Sequence, residues 1–387
     1  MAFGQRKALF IMKKQIFYFS VLFTFLSFMA STSEASSALK LVFGGDTYFG
    51  ESYGVHEIGS TSGDEPGIYD SSIKELSALP LSANWCMVNM EAPLSFPIPN
   101  EAVDKNLLHW ANPDKTASTL KRHGIKAVSL ANNHTMDYGP KGLLNTLATL
   151  KKWEIEKVGA GANEKDANKP IIKTFTIDDQ KVTLIVLSGY HYRKAYDTKY
   201  HFYAKGERPG VALLDVKSTA KQIKDLRKDF PEALIVVFPH WGKNYEGIKR
   251  DQIKAAHKFI ESGADIIFGH GPHMLQPIER YKGKWIIYSL GNFVFNTPGR
   301  YQTEKEAYPY SFIAALELEN KGKSITSLIK LYPTFSDNKR TNFKSRFVTE
   351  EEFMDVLSNL EYYSKSGGIP NLVRTGKDSF GYFLTLP

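Results

Sequence analysis

Cysteine is nearly absent: the 387 residues contain one, Cys86. A single thiol excludes an intramolecular disulfide framework, and its place inside the apolar run Trp85-Cys86-Met87-Val88 marks it as a core residue. No cysteine follows the N-terminal hydrophobic run, so none is there to carry a lipid anchor. No basic cluster is interleaved with aromatics, which argues against a nucleic-acid partner. At 42% hydrophobic and 23% charged residues the composition excludes wholesale disorder and a polytopic membrane protein. The length allows one large α/β domain with additions, or two domains.

What is present begins with a leader. Arg6, Lys7, Lys13 and Lys14 precede an uncharged run from Ile16 to Ala30, and small residues follow at Ser33-Glu34-Ala35 and Ser36-Ser37-Ala38. That order is the pattern of a secretory signal over residues 1–38. Fifteen helical residues rise only about 22 Å against a hydrocarbon core of about 30 Å, so cleavage is expected, with an uncleaved anchor as the alternative. An exported chain without disulfides suits a bacterial periplasm or cell surface. The leader holds four basic residues and one acidic, so the formal charge of +8 falls to +5 without it. That excess favours an anionic partner, such as a cell-envelope polymer or a phosphoester, or is simply a solvated surface.

The rest of the chain alternates apolar strands with helices, and polar residues stand at the strand exits. Leu39 to Phe43 reads as a strand ending at Gly44-Gly45-Asp46, and Trp85 to Asn89 as a second ending at Asn89-Met90-Glu91-Ala92-Pro93. Lys126 to Leu130 leads into Asn132-Asn133-His134 and Asp137, followed by a helix from Gly142 to Lys152. Residues 171–175 and 182–187 suggest a hairpin, and residues 189–210 a long loop bordering a cleft. Ala233 to Phe238 ends at Pro239-His240-Trp241-Gly242. Ile266 to Phe268 ends at Gly269-His270-Gly271-Pro272-His273, a tight turn that can aim two imidazoles at one point. Each of these residues alone is also compatible with an ordinary turn or cap. Residues 301–387 show no repeats and no chemical motif, and read as a C-terminal extension packing on a core domain of 39–300.

Strands alternating with helices imply sheets whose carboxyl edges gather these side chains into one crevice. Two carboxylates (Asp46, Glu91), an amide (Asn133) and the imidazoles of His240, His270 and His273 supply enough donors for one or two divalent metals: manganese, iron or zinc. His134 suits protonation of a leaving group. Asn89, Asn132, Asp137 and Asn292 stand beside them as further site residues.

The blocks Gly45-Asp46, Asn89 to Pro93, Ala131 to Gly139, Pro239 to Gly242, Gly269 to His273 and Tyr288-Ser289-Leu290-Gly291-Asn292-Phe293 resemble the CapA/PgsA family of capsule (poly-γ-glutamate) biosynthesis proteins. That family is similar in fold to calcineurin-like metallophosphoesterases, and the resemblance covers residues 39–296. It implies a four-layer α/β/β/α sandwich, export, a role in making, attaching or trimming an anionic capsule polymer, and association with a membrane-bound capsule synthase. Carried over by position, Asp46 resembles a first-metal ligand and Glu91 the bridging carboxylate. Asn133 resembles the second-metal amide and His134 the catalytic imidazole, with His240, His270 and His273 the remaining ligands. Tyr48 stands where the superfamily has a histidine, which removes one ligand, and Glu91 replaces an Asp. Two readings follow: a metal-dependent hydrolase, or a non-catalytic accessory of a synthesis and export complex.

Overall fold

The first sheet starts on a strand that is buried on both faces. In β1 (Ala38–Tyr48), Leu39, Leu41 and Phe43 point into one apolar cluster and Val42 into another, as expected of a strand covered from two sides. A computed structural model describes residues 38–54, 68–297, 301–304, 307–322, 324–364 and 373–387; the leader, apart from Ala38, lies outside them. The residues from Ala38 onward group into one compact unit. Among the described residues no helix is long and apolar enough to cross a membrane.

Parallel to β1 run β2 (Trp85–Met90), β3 (Ala127–Ser129) and β4 (Glu156–Val158). Parallel neighbours require crossovers, here made by α1 (Pro113–Arg122) and α2 (Gly139–Lys152). The side chain of Asn112 caps α1 by accepting from Lys115 N, with Pro113 in the first turn. The second helix begins three residues ahead of the sequence expectation because Pro140 also sits in a first turn, where its missing N–H costs nothing.

The chain then builds a second sheet. A hairpin of β5 (Ile171–Ile177) and β6 (Gln180–Leu187) is followed by α3 (Val216–Asp229), β7 (Leu234–Val237), α4 (Arg250–Glu261), β8 (Ile266–Phe268), β9 (Ile278–Tyr281) and β10 (Lys284–Ile287). Their order is β9-β10-β8-β7-β6-β5, parallel from β6 to β10 and antiparallel at both edges.

Afterwards the chain returns to the first sheet. β11 (Asn292–Phe295) pairs in parallel with the end of β1. Next come β12 (Tyr310–Asn320), β13 (Ile325–Phe335), α5 (Glu350–Ser364), β14 (Arg374–Lys377) and β15 (Tyr382–Leu386), giving the order β14-β15-β13-β12-β1-β2-β3-β4. The segment beyond residue 300, expected as an extension packed on the core, thus contributes strands to the sheet itself: β12 lies antiparallel to β1 from Ala38↔Glu319 to Phe43↔Ala314. The protein is of the α/β class, with two large mixed sheets, two two-stranded sheets and helices among the described residues.

Three apolar clusters hold these elements together. Between the sheets, Leu41, Phe43 and Met87 meet Val186, Phe238 and Phe268, and the Phe43 and Phe268 rings lie 4.9 Å apart. Leu120 of α1 and Leu143 of α2 pack with Val88 of the first sheet; Ile223 of α3 and Phe259 of α4 pack with Ile235 and Val237 of the second. Burying a side chain of this size contributes about 1.5–3 kcal/mol. The carboxyl ends of β1, β2, β7 and β8 converge on one place, and the polar groups lie there.

Candidate metal centre

Close backbone contact brings Asp46 into the crevice. The Asp46 N–H donates to Gly291 O at 2.9 Å, and a Cβ on Gly45 would lie 1.8 Å from that oxygen, so the position admits no side chain. Glu91 follows β2, with its N–H on Thr47 O at 2.9 Å. The exits of β7 and β8 are laced together: His270 N donates to Pro239 O and Trp241 N to His270 O, both at 3.0 Å. At Gly269 a Cβ would meet Tyr288 O at 2.2 Å. The Gly-Pro-His turn places Gly271 at φ 114° and His273 at φ 60°, and a non-glycine residue held in that region is a sign of constraint at a site.

The carboxylate of Asp46 is the centre. His270 Nδ1 lies 3.1 Å from Oδ1 and His240 Nδ1 3.7 Å from the same atom. His273 Nδ1 lies 3.2 Å from Oδ2, to which Gly271 N donates at 3.1 Å. Two donor groups therefore share Asp46. One adds His240 and His270, the other Glu91 and His273, and within each group the ligand atoms lie within 4.8 Å of one another. That is near the limit of about 4.2 Å for two donors about 2.1 Å from one ion.

The chemistry of the donors fits a divalent metal. Glu91 is fully buried, and neither of its oxygens has a hydrogen-bond partner; nor does Nε2 of His270. An unpaired buried carboxylate is costly, and a cation removes that cost. Burial, then the adjacent Asp46 charge, pushes the Glu91 carboxyl well above its ordinary range. For Asp46 burial acts upward too, but hydrogen bonds from His270 and then His273 outweigh it and hold the carboxyl well below. Nδ1 of His240 and Nδ1 of His270 are 3.0 Å apart, so an ion taking the place of the proton His270 shares with Asp46 would receive a lone pair from each. Burial keeps His240 neutral, the form that ligates.

His134 borders this cluster. Its Nε2 is 3.9 Å from Glu91 Oε1, the same distance as His273 Nε2, and its Nδ1 contacts Asp137 Oδ2 at 2.6 Å. Asn132 turns inward, donating to Asn89 Oδ1 at 3.0 Å and Met90 O at 2.8 Å, while its own oxygen accepts from His134 N at 2.9 Å. Asn89 in turn donates to Asp46 Oδ1 at 2.8 Å. Asn292 Oδ1 lies 2.9 Å from His273 Nδ1. Asn133 is half-buried on the wall of the neighbouring cleft, and its carbonyl accepts from Lys105 Nζ at 2.6 Å. The Tyr48 hydroxyl accepts from Ser52 N, away from the cluster.

Three neighbours carry no signal in the sequence. His109 stacks on His134 and holds Glu91 O through Nδ1 at 3.0 Å. Lys105 pairs with Asp137 and donates to Asn133 O at 2.6 Å. Tyr301 donates to His273 O at 2.8 Å. All three come from irregular segments, where no periodicity points to a buried role.

A cleft of about 890 Å³ opens beside His134. The loop expected to border a cleft does so through His191, Arg193 and Tyr196. Lys105, Arg193, Lys194, Lys243 and Lys249 outnumber the acidic Glu246 and Asp251 on its walls, so its field attracts anions.

An α/β protein with a buried carboxylate and imidazole cluster at converging strand ends belongs among candidate metal-binding proteins. Residues 40–297 match the family described as bacterial capsule synthesis protein PGA_cap, and the chain is a member of that family. Among its relatives, "PGA biosynthesis protein CapA" of Bacillus subtilis is 33% identical over 228 residues, 59% of this chain and 57% of its own. "Capsule biosynthesis protein CapA" of Bacillus anthracis is 33% identical over 235 residues, 60% and 53% of the two chains. "Probable polyglutamine synthesis accessory protein" of Mycobacterium tuberculosis is 31% identical over 225 residues, 55% and 56%. The chain thus spans little more than half the length of these relatives.

Proposed function

We propose that this protein is an exported, metal-dependent hydrolase of capsule polymer metabolism, acting on an anionic polymer of the poly-γ-glutamate type or on a phosphoester. Its three apolar clusters support reading the fold as a four-layer α/β/β/α sandwich of the metallophosphoesterase type. The observation that carries the proposal is the pair of buried donor groups sharing Asp46, one of which includes a carboxylate with both oxygens unpartnered. Asp46, His240 and His270 would hold one ion, and Asp46, Glu91 and His273 a second, with manganese, iron or zinc suited to such donors. Bound there, a divalent ion supplies a hydroxide at neutral pH and neutralises developing charge. Asp137 accepts from His134 Nδ1 and fixes the ring, so that Nε2 is the atom that moves a proton at the leaving group. The basic cleft beside it suits an anionic chain.

The names of the relatives support a role in capsule polymer synthesis, which this reading places beside a membrane-bound capsule synthase, and the leader of residues 1–38 supports export. The proposal is tested by metal analysis of protein purified without chelator, alongside His270→Ala, and by a hydrolysis panel of poly-γ-glutamate and phosphoesters. Bound metal lost in the variant and hydrolysis by the parent are expected; a metal-loaded protein inert on both substrate classes overturns the hydrolase reading.

A second reading, a non-catalytic accessory, is favoured by Tyr48, which stacks on His109 at 4.2 Å and offers no ligand to the cluster. It predicts capsule production unchanged in His134→Ala.

A further inference from the structure

One cation on the wall of the cleft has a charge that its own surroundings leave unanswered. Lys105 is committed to Asp137, and Lys243 and Lys249 share Glu246 at 3.6 and 2.8 Å. Lys194 is exposed, where salt and water screen it. Arg193 is half-buried, and its partners are all neutral. Its Nε donates to His191 Nε2 at 2.6 Å and its Nη2 to Gly242 O at 3.0 Å, while the guanidinium carbon lies 5.9 and 6.0 Å from the rings of Tyr190 and Tyr196. Burial, then the guanidinium itself, holds His191 well below the ordinary imidazole range and hence uncharged. Among the described residues no carboxylate pairs with Arg193, and a partly desolvated charge without a counter-charge is costly.

We propose that Arg193 is the specificity-determining residue of the cleft, receiving a free carboxylate of a γ-linked polyglutamate chain end-on through Nη1 and Nη2. This rests on the reading of the cleft as the seat of an anionic polymer and narrows it to a polymer of carboxylates. Nη1 makes no hydrogen bond within the protein and Nη2 uses one of its two hydrogens on Gly242, so the end of the fork is left for the cleft that Arg193 lines. Two parallel N–H groups there match the two oxygens of a carboxylate. Charge favours the same ligand: a carboxylate carries the one negative charge that a single guanidinium balances, whereas a phosphate monoester carries about 1.5 to 2.

The strand exit that carries His240 also holds this guanidinium in place. His191 N donates to His240 O at 3.0 Å, and Gly242 O, two residues on, receives Nη2. The Tyr203 hydroxyl accepts from Arg193 N at 2.9 Å and donates to His191 O at 2.6 Å. Tyr190, which lies under the guanidinium, is edge-on to the His240 ring with centroids 5.5 Å apart. A carboxylate seated on Arg193 therefore sets the register of the chain against the buried cluster, the kind of positioning that a hydrolytic site needs.

Fluorescence anisotropy on the full chain tests the proposal, with a labelled γ-linked glutamate oligomer and the same oligomer with its carboxylates amidated. A chelator is present so that no metal-dependent cleavage intervenes, and the ionic strength is physiological, which screens exposed lysines beyond about 8 Å. The parent should bind the carboxylate form at least about tenfold more tightly than the amide form. In Arg193→Gln that ratio should drop at least about fivefold, whereas Lys224→Gln, which removes the same charge from the exposed face of α3, should keep it. A merely structural role for Arg193 would weaken both forms together and leave their ratio intact. The proposal is overturned by a smaller drop in Arg193→Gln, by an equal drop in Lys224→Gln, or by a parent that does not bind the carboxylate form saturably. It is also overturned if the parent prefers a glycerol phosphate oligomer and loses that preference in Arg193→Gln. A parent that shows the expected ratio, yet cuts neither polymer nor phosphoester once metal is restored, defeats the hydrolase reading alone.

Discussion

His109 lies flat against His134, with ring centroids 3.6 Å apart and planes 8° from parallel. On its other face His109 stacks on Tyr48, so three rings form one pile beside the buried acids. Burial, then the neighbouring His134, keeps His109 far below the ordinary imidazole range and hence neutral. The pile sets the plane in which His134 meets Asp137 and fixes where its Nε2 points. His109→Ala should lower folding stability by about 1–3 kcal/mol, from a lost stack and an unpaired Glu91 carbonyl. Metal content should stay at the parent value, because His109 belongs to neither donor group. Urea unfolding with metal analysis of the same samples checks both statements.

Sharing of Asp46 makes the stoichiometry of ligand loss predictable. His240→Ala and His270→Ala should each remove one equivalent of metal, and Glu91→Gln and His273→Ala the other. Asp46→Asn should remove both. Where a metal at a hundred times its Kd stabilises the parent by about 2.7 kcal/mol, the Asp46→Asn protein should show no metal-dependent rise in Tm. Elemental analysis of the five variants, with thermal melts with and without added manganese, reads this out.

Much of this site was legible because strand exits carry their own punctuation. Asp46 follows two glycines, Glu91 precedes Pro93, and His240 and His270 follow Pro239 and Gly269 directly; each marks the residue where a buried strand must stop. The pair Asn132-Asn133 was harder to read, since adjacent amides at a turn are chemically identical and only the path of the backbone turns Asn132 toward Asn89. Lys105 and His109 lie in a stretch with neither period, and only the fold brings them to Asp137, through a Lys105 ion pair and a His109 N–H bond of 2.7 Å. Pairing β12 with β1 joins residues about 280 positions apart, and local pattern carries no information on it.

Gly45→Ala should be severely destabilising. The added carbon would sit 1.8 Å from Gly291 O, a backbone atom held by the Asp46 N–H, so the two strand ends must separate. Overpacking of this kind costs about 1–3 kcal/mol, and more when backbone must move. Gly206→Ala is the control: nothing lies within 4 Å of its Cβ position, and only its φ of 55° opposes the change, at about 1 kcal/mol. Urea midpoints of the two variants should differ in that order.

Glu51 should make the fold less stable as pH rises. Burial raises its carboxyl from 4.5 to about 7, because the side chain is enclosed while Oε1 alone receives Tyr69 OH, Asn112 N and Thr116 Oγ1, at 3.1 to 3.2 Å. Oε2 has no partner, so nothing offsets a charge on that atom. A folded-state value above the unfolded one means that the native protein binds more protons, so its contribution is complete below pH 4.5 and is lost as pH climbs through about 7. The shift corresponds to a loss of roughly 3 kcal/mol. Glu51→Gln keeps the acceptor at Oε1 and puts an uncharged amide at the unpartnered position, so this contribution should vanish. Urea unfolding at pH 5 and pH 8 should show a smaller decline for Glu51→Gln than for the parent, and equal declines would mean that Glu51 is ionised in the folded protein at both values.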